Sequence, residues 1–137
     1  MSIRVFYDEI SFRVEAWRKK VKLFKAIISS ESKSAGDISF VLTDDDSLRE
    51  INIEFLEHDY YTDVITFNYN EGSIINGEIY ISLDRVRENA FSYNVSLESE
   101  LSRVLIHGVL HLVGYDDKNE EEKSEIRRKE DFWLKSL

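Results

Sequence analysis

Leu105-Ile106-His107-Gly108-Val109-Leu110-His111-Leu112-Val113-Gly114-Tyr115-Asp116-Asp117 is the stretch that decides how this chain is read. It holds two of the chain's three histidines, four residues apart. On a helix they stand one turn apart, about 40° in azimuth and ~6 Å in rise, so both imidazoles can reach one metal ion. The competing reading is a core helix that happens to carry two histidines. A helical wheel separates the two. Leu101, Leu105, Ile106, Val109, Leu110, Leu112 and Val113 cover an arc of about 180°. His107 and His111 lie on the other side with Glu100, Arg103 and Gly108. A polar side on a largely buried helix points to a cleft, and Gly108 leaves room there for another backbone or a ligand. Gly114 ends the helix as its C′ glycine.

Working outward, Ser96 is the N-cap of this helix, with Glu98 and Glu100 in its first turn. Upstream, Ser82 caps a helix from Leu83 to about Ser92. Strands are expected at Ile3–Phe6, Asp37–Leu42, Val64–Phe67 and Glu78–Ser82, from alternation and β propensity. Asn68 to Gly77 reads as a hairpin connection, with Gly72 and Asn76-Gly77 as turn signals. Phe12–Ile28 has helical spacing and a basic face of Arg13, Arg18, Lys19, Lys20, Lys22 and Lys25. That face is either solvated or turned to RNA. Ser29–Gly36 reads as a polar loop. Thr43-Asp44-Asp45-Asp46 offers an N-cap and first-turn acids for a helix from Asp44 to about Leu56, whose apolar positions are Leu48, Ile51, Ile53 and Phe55. A last helix starts at Asn119-Glu120-Glu121-Glu122 and buries Ile126, Trp133 and Leu137.

Composition narrows the function classes. The 137 residues suit one domain, 1–137, and 42% hydrophobic content supplies its core. No apolar run approaches the ~20 residues that cross a bilayer. The opening alternates like a strand and lacks the pattern of a signal peptide, so the expected compartment is the cytoplasm. With no cysteine, disulfides and thiolate sites are excluded, and a metal must be held by His, Asp or Glu. A net charge of -9 argues against a general nucleic-acid coat but leaves room for a local basic patch.

A catalytic zinc needs a third protein ligand beside His107 and His111. His58, Asp59, Asp116 and Asp117 are the nearby candidates. The zincin protease helix has Glu directly after its first His; here that residue is Gly108, so the base of that mechanism is missing.

The stretch resembles the signature of the YbeY family of rRNA-maturation endoribonucleases, His-Gly-x-Leu-His-Leu-x-Gly-Tyr-Asp-His. Thr62-Asp63-Val64-Ile65-Thr66-Phe67 and Gly77-Glu78-Ile79-Tyr80-Ile81-Ser82 are similar to two further segments of that family, in the same order. The resemblance implies an α/β (α+β) fold with a small mixed sheet of about four strands flanked by helices. It implies a three-ligand site at a helix C-terminal end beside a cleft. It also implies cleavage of single-stranded RNA, a role at the 3′ end of small-subunit rRNA and in ribosome quality control, and the small ribosomal subunit as partner, with neither membrane nor DNA involved. Zinc is the expected ion, with manganese, iron or nickel as alternatives.

Two departures stand out. Asp117 takes the place of the motif's third histidine, making the expected ligand set His107, His111 and Asp117, with Asp116 as the fallback. Leu56 takes the place of an arginine; Arg103 is the candidate substitute, against a purely structural role. These departures motivate the rival reading of a non-catalytic ribosome-assembly factor with a structural or vestigial metal site. Stacking of RNA bases on Tyr60, Tyr61 or Phe67 is a further expectation, core packing being the alternative for Phe67.

Overall fold

Four strands and five helices follow one another in the order β-α-β-α-β-β-α-α-α in a computed structural model that describes residues 1–137. Strands β1 (Ile3–Tyr7), β2 (Ser34–Thr43), β3 (Val64–Asn68) and β4 (Ile74–Ser82) form one sheet in the order β1-β2-β4-β3. β1 and β4 run parallel to β2, and β3 pairs antiparallel with β4 at the sheet edge. The sheet is therefore mixed and four-stranded, as the family resemblance implied.

The helices are α1 (Trp17–Ser30), α2 (Asp45–Leu56), α3 (Leu83–Ser92), α4 (Leu97–Val113) and α5 (Glu120–Leu134). Their starts follow local chemistry. The side chains of Asp44, Ser82, Ser96 and Asn119 each accept a hydrogen bond from a backbone N–H in the first turn. α1 begins five residues later than Phe12, because Ala16 adopts a left-handed backbone at φ 52°. Val14 still packs into the core, and its N–H donates to the Tyr7 hydroxyl at 2.9 Å. Lys20 does not belong to the exposed basic face. It is buried, and its Nζ meets Glu98 Oε1 and the Glu15 carbonyl, each at 2.7 Å. Arg18, Lys19, Lys22 and Lys25 are exposed.

α4 is the central helix. It packs on β3 and β4 and touches α1, α3 and α5. Its apolar arc meets Ile38, Phe40 and Leu42 of β2 and Ile75, Ile79 and Ile81 of β4 in one buried cluster of 22 residues. α2 departs from its expected pattern: Leu48 is buried, but Ile53 and Phe55 are exposed, and Asn52 is buried in their stead. Asn52 earns that place by donating from Nδ2 to the Tyr60 carbonyl at 3.1 Å. No helix is long and apolar enough to cross a membrane.

The β3–β4 connection is tighter than expected. Gly72 takes the positive φ of 60°, and Glu71 and Ile74 exchange backbone hydrogen bonds at 3.0 Å. Asn76 and Gly77 are strand residues instead of turn residues. Asn76 Oδ1 accepts from the Asp37 N–H at 2.8 Å, which ties β4 to β2. β2 likewise starts at Ser34, inside the expected loop, because Ser34 and Ala35 pair with Ile74 and Ile75. Gly77 is required by close approach: a Cβ there would stand 2.6 Å from the Phe67 carbonyl and 2.8 Å from Leu112 of α4. Gly77→Ala should therefore destabilise the chain by about 1–3 kcal/mol, read as a lower urea midpoint.

Candidate metal centre

The last two turns of α4 and the loop after them build the site. Gly114 adopts φ 117°, and its N–H and that of Tyr115 close on the carbonyls of His111 and Leu110 at 3.1 and 3.0 Å. The Tyr115 hydroxyl donates to Glu31 at 3.0 Å and anchors the loop against the end of α1. The chain thus folds back over the helix end and delivers Asp117 to the histidines. Asp117 Oδ2 lies 3.5 Å from His107 Nε2 and 3.4 Å from His111 Nε2. The two Nε2 atoms are 2.9 Å apart.

These distances can be tested against coordination chemistry. Donors about 2.0–2.2 Å from a tetrahedral ion lie roughly 3.3–3.6 Å from one another. Both distances to Asp117 match that edge length. The shorter His–His spacing is a hydrogen bond when one ring carries the proton, and opens by a few tenths of an ångström to a ligand edge when neither does. The donors of His107, His111 and Asp117 form a group that could hold one metal ion. Asp116 is exposed and outside that group. His58 and Asp59 are engaged elsewhere: His58 stacks on Tyr60, and Asp59 pairs with Arg49 at 2.6 Å.

Sequence reading missed one residue of the site. Glu130 on α5 is 3% exposed and presents Oε2 to His107 Nδ1 at 2.6 Å. Its Oε1 accepts from Arg103 Nη1 at 2.8 Å, and Arg103 Nη2 donates to Asp131 at 2.6 Å. Arg103, the expected substitute for the missing arginine, thus has its guanidinium between two carboxylates. Glu130 is one acid among many on a polar helix. The one available signal was its spacing of four from Ile126, which places both on one face. Gly108 also differs from expectation. The space beside it is filled by Ile79, whose Cγ2 would be 2.7 Å from an added Cβ. It brings α4 close to the sheet and makes no room for a ligand.

A cleft of about 540 Å³ opens beside His107 and Asp117, between α3, α4, α5 and the start of β3. Its walls include Val64, Val104 and Ile126, and its polar lining includes Asp63, Glu100 and Arg127. For His107, burial lowers the pKa, but the hydrogen bond and charge of Glu130, with Asp117 and Asp63, outweigh it and leave the imidazole above its ordinary value. Asp63 is pushed up mainly by burial, against the nearby His107. Glu100 is also pushed up by burial, and the charges of Asp63 and Glu130 add to that, against Arg103 and Arg127.

A carboxyl whose pKa is higher in the folded chain than in the unfolded one favours folding only while protonated. The contribution of Glu100 is full below its ordinary value of 4.5 and fades as pH rises through the folded value. Glu100→Gln should therefore raise the melting temperature at neutral pH. In thermal melts of chelator-treated protein, the gain should vanish as pH falls below about 4.

Comparisons with known proteins place the chain in a family. The family model described as endoribonuclease YbeY matches residues 4–137. The endoribonuclease YbeY of Flavobacterium psychrophilum is 47% identical over 130 residues, covering 95% of this chain and 93% of that protein. The Parabacteroides distasonis protein of the same name is 40% identical and covers 100% of this chain and 96% of its own length. A solution structure of a Thermotoga maritima protein superposes with a TM-score of 0.68 at 29% identity, covering 98% of this chain and 88% of that one. With its helix, glycine turn and converging side chains in place, the chain belongs to the YbeY endoribonuclease family.

Proposed function

We propose that this chain is a metal-dependent endoribonuclease that cleaves single-stranded RNA, with His107, His111 and Asp117 as the protein ligands of one divalent ion. The observation that carries this reading is the convergence of two Nε2 atoms and one carboxylate oxygen, spaced as the corners of a coordination polyhedron, at the mouth of a cleft. A divalent ion held there supplies Lewis acidity, which activates water and polarises a phosphoryl oxygen. Zinc suits two imidazoles and one carboxylate; manganese, iron and nickel share that donor chemistry.

The chain's own residues supply the rest. Glu130 and Asp117 hold His107 from opposite ring nitrogens. Val64, Val104 and Ile126 give the cleft apolar walls. Arg127 is exposed on the cleft lining, where a guanidinium can meet a backbone phosphate, in contrast to the paired Arg103. Tyr93, also on the lining and exposed, offers a ring on which a base can stack. Phe67 is less available, because it packs edge-on between Phe55 and Tyr80. The RNA we assign is ribosomal, at the 3′ end of small-subunit rRNA, in the cytoplasm and in company with the small subunit. The domain that does this is the whole chain, 1–137.

Cleavage of a labelled single-stranded RNA, with zinc or manganese added after chelation, tests the reading. His111→Ala and Asp117→Asn should each lose roughly 100-fold or more in rate. The reason is that metal Lewis acidity contributes several kcal/mol, and each 1.4 kcal/mol is about tenfold. Duplex RNA of the same sequence should resist. Equal rates in wild type and His111→Ala would mean that the activity belongs to a contaminant and would remove the mechanism.

A further inference from the structure

We infer that Glu130 is a positioning residue for the metal centre: its carboxylate fixes the His107 tautomer that offers the Nε2 lone pair to a metal ion, and Arg103 holds the carboxylate in place. The inference rests on the assignment of His107 as a ligand and adds to it the device that makes His107 competent.

Glu130 has both oxygens committed, each to a different partner. Oε2 meets His107 Nδ1 at 2.6 Å and Oε1 meets Arg103 Nη1 at 2.8 Å. The side chain is 4% exposed, and a carboxylate buried this far needs the pairing and hydrogen bonds that Arg103 and His107 give it. An ionised carboxylate accepts and cannot donate. A neutral imidazole that faces it through Nδ1 must therefore carry its proton there. Nε2 is left with a free lone pair, and that atom faces His111 and Asp117. The short distance marks a charge-assisted bond. Carboxylate partners of this kind fix ring orientation and raise the basicity of metal-binding histidines.

The placement of Glu130 in the fold supports the same role. Only Ile126 and Glu130 are buried on α5, four residues apart on the face that meets α4. A helix docked mainly for stability would bury more apolar surface than one isoleucine and a partly covered Trp133 and Leu134. Arg103 could be neutralised by Asp131 and Glu130 Oε1 alone. The second oxygen, aimed at the imidazole, is not needed for that ion pair. Asp117 stands three residues ahead of α5, so one C-terminal segment carries both the carboxylate facing Nε2 and the carboxylate facing Nδ1.

Glu130→Gln tests this with almost no change in shape. The glutamine has one acceptor oxygen, which the charged Arg103 claims. Its amide NH₂ then faces His107 Nδ1, which must accept, and the imidazole proton moves to Nε2. In full-length, chelator-treated protein at about pH 8.5, where imidazole is neutral, ¹⁵N imidazole NMR should report Nδ1–H for wild-type His107 and Nε2–H for the variant. Zinc affinity, measured by competition with a chromogenic chelator, should weaken about 10–100-fold. Asp131→Asn, which changes only the exposed partner of Arg103 Nη2 and leaves the Arg103–Glu130–His107 bonds in place, should stay within about twofold. A wild-type His107 already protonated at Nε2 overturns the inference without any variant. So does a folded Glu130→Gln with wild-type zinc affinity and tautomer. A wild type that takes up no zinc overturns the metal centre itself, and this inference with it.

Discussion

α4 has to be buried along most of its circumference and still present a polar stripe, and the rest of the structure follows from that constraint. Of its 17 residues, 11 are buried. Its sequence nevertheless places Glu100, Arg103, His107 and His111 within about 80° of azimuth along one side. Water cannot satisfy groups packed this closely, and a polar group left unpaired in such a place costs a few kcal/mol. The stripe is therefore matched by polar partners from other elements. Glu130 and Asp131 come from α5, and Asp117 comes from the turn. The cleft is what remains where this polar matching stops short of filling the space.

The same matching explains the charge distribution. The chain carries a net -9, and carboxylates crowd the cleft as well. Burial, with their mutual repulsion added to it, is what lifts Asp63 and Glu100. Arg103 relieves part of it at Glu100, and His107 relieves part of it at Asp63. A divalent cation does so more effectively than a proton, because it brings two charges to a point that three donors already surround. Asp117 in place of a third imidazole deepens this preference. As the third ligand proposed above, its carboxylate would add a negative charge that a neutral imidazole lacks. The acidic surplus of the chain is in this sense compatible with an RNA substrate. The negative charge gathers around the cleft, while α1 keeps Arg18, Lys19, Lys22 and Lys25 on its surface.

What could be read from sequence was what is settled within a few residues. Caps at Ser82 and Ser96 and the C′ glycine at Gly114 depend on neighbours in the chain, and all are present. The placement of Asp117 followed from motif register, and the loop geometry brings it to the histidines. Long-range decisions were not legible. Asn76-Gly77 carries a turn signal, yet its backbone is claimed by β2 and its missing Cβ by Phe67 and Leu112. Lys20 falls in a run of basic residues and gives no local sign of its pairing with Glu98, 78 residues away. Glu130 is the extreme case, because its partner His107 is fixed only once α5 has docked.

Gly108 shows how a correct sequence argument can rest on a deeper geometric one. The lack of a glutamate after the first histidine spoke against zincin chemistry. The structure shows why such a glutamate has no place in this fold. Position 108 is rotated about 100° from His107, off the polar stripe and onto the sheet-facing side, where Ile79 already occupies the space of a Cβ. A longer side chain there would push α4 from β4 before it reached the histidines. The zincin solution, with base and ligands on adjacent residues of one helix, requires the helix to turn that next position toward the substrate. Here the helix spends it on packing. Carboxylates that reach the cleft accordingly come from positions the zincin pattern does not use: Asp63 just ahead of the edge strand, and Glu100 seven residues before His107 on the same stripe. α4 is committed to the core at the one position where a zincin base would stand, so the acids that line this cleft are supplied by several elements of the fold.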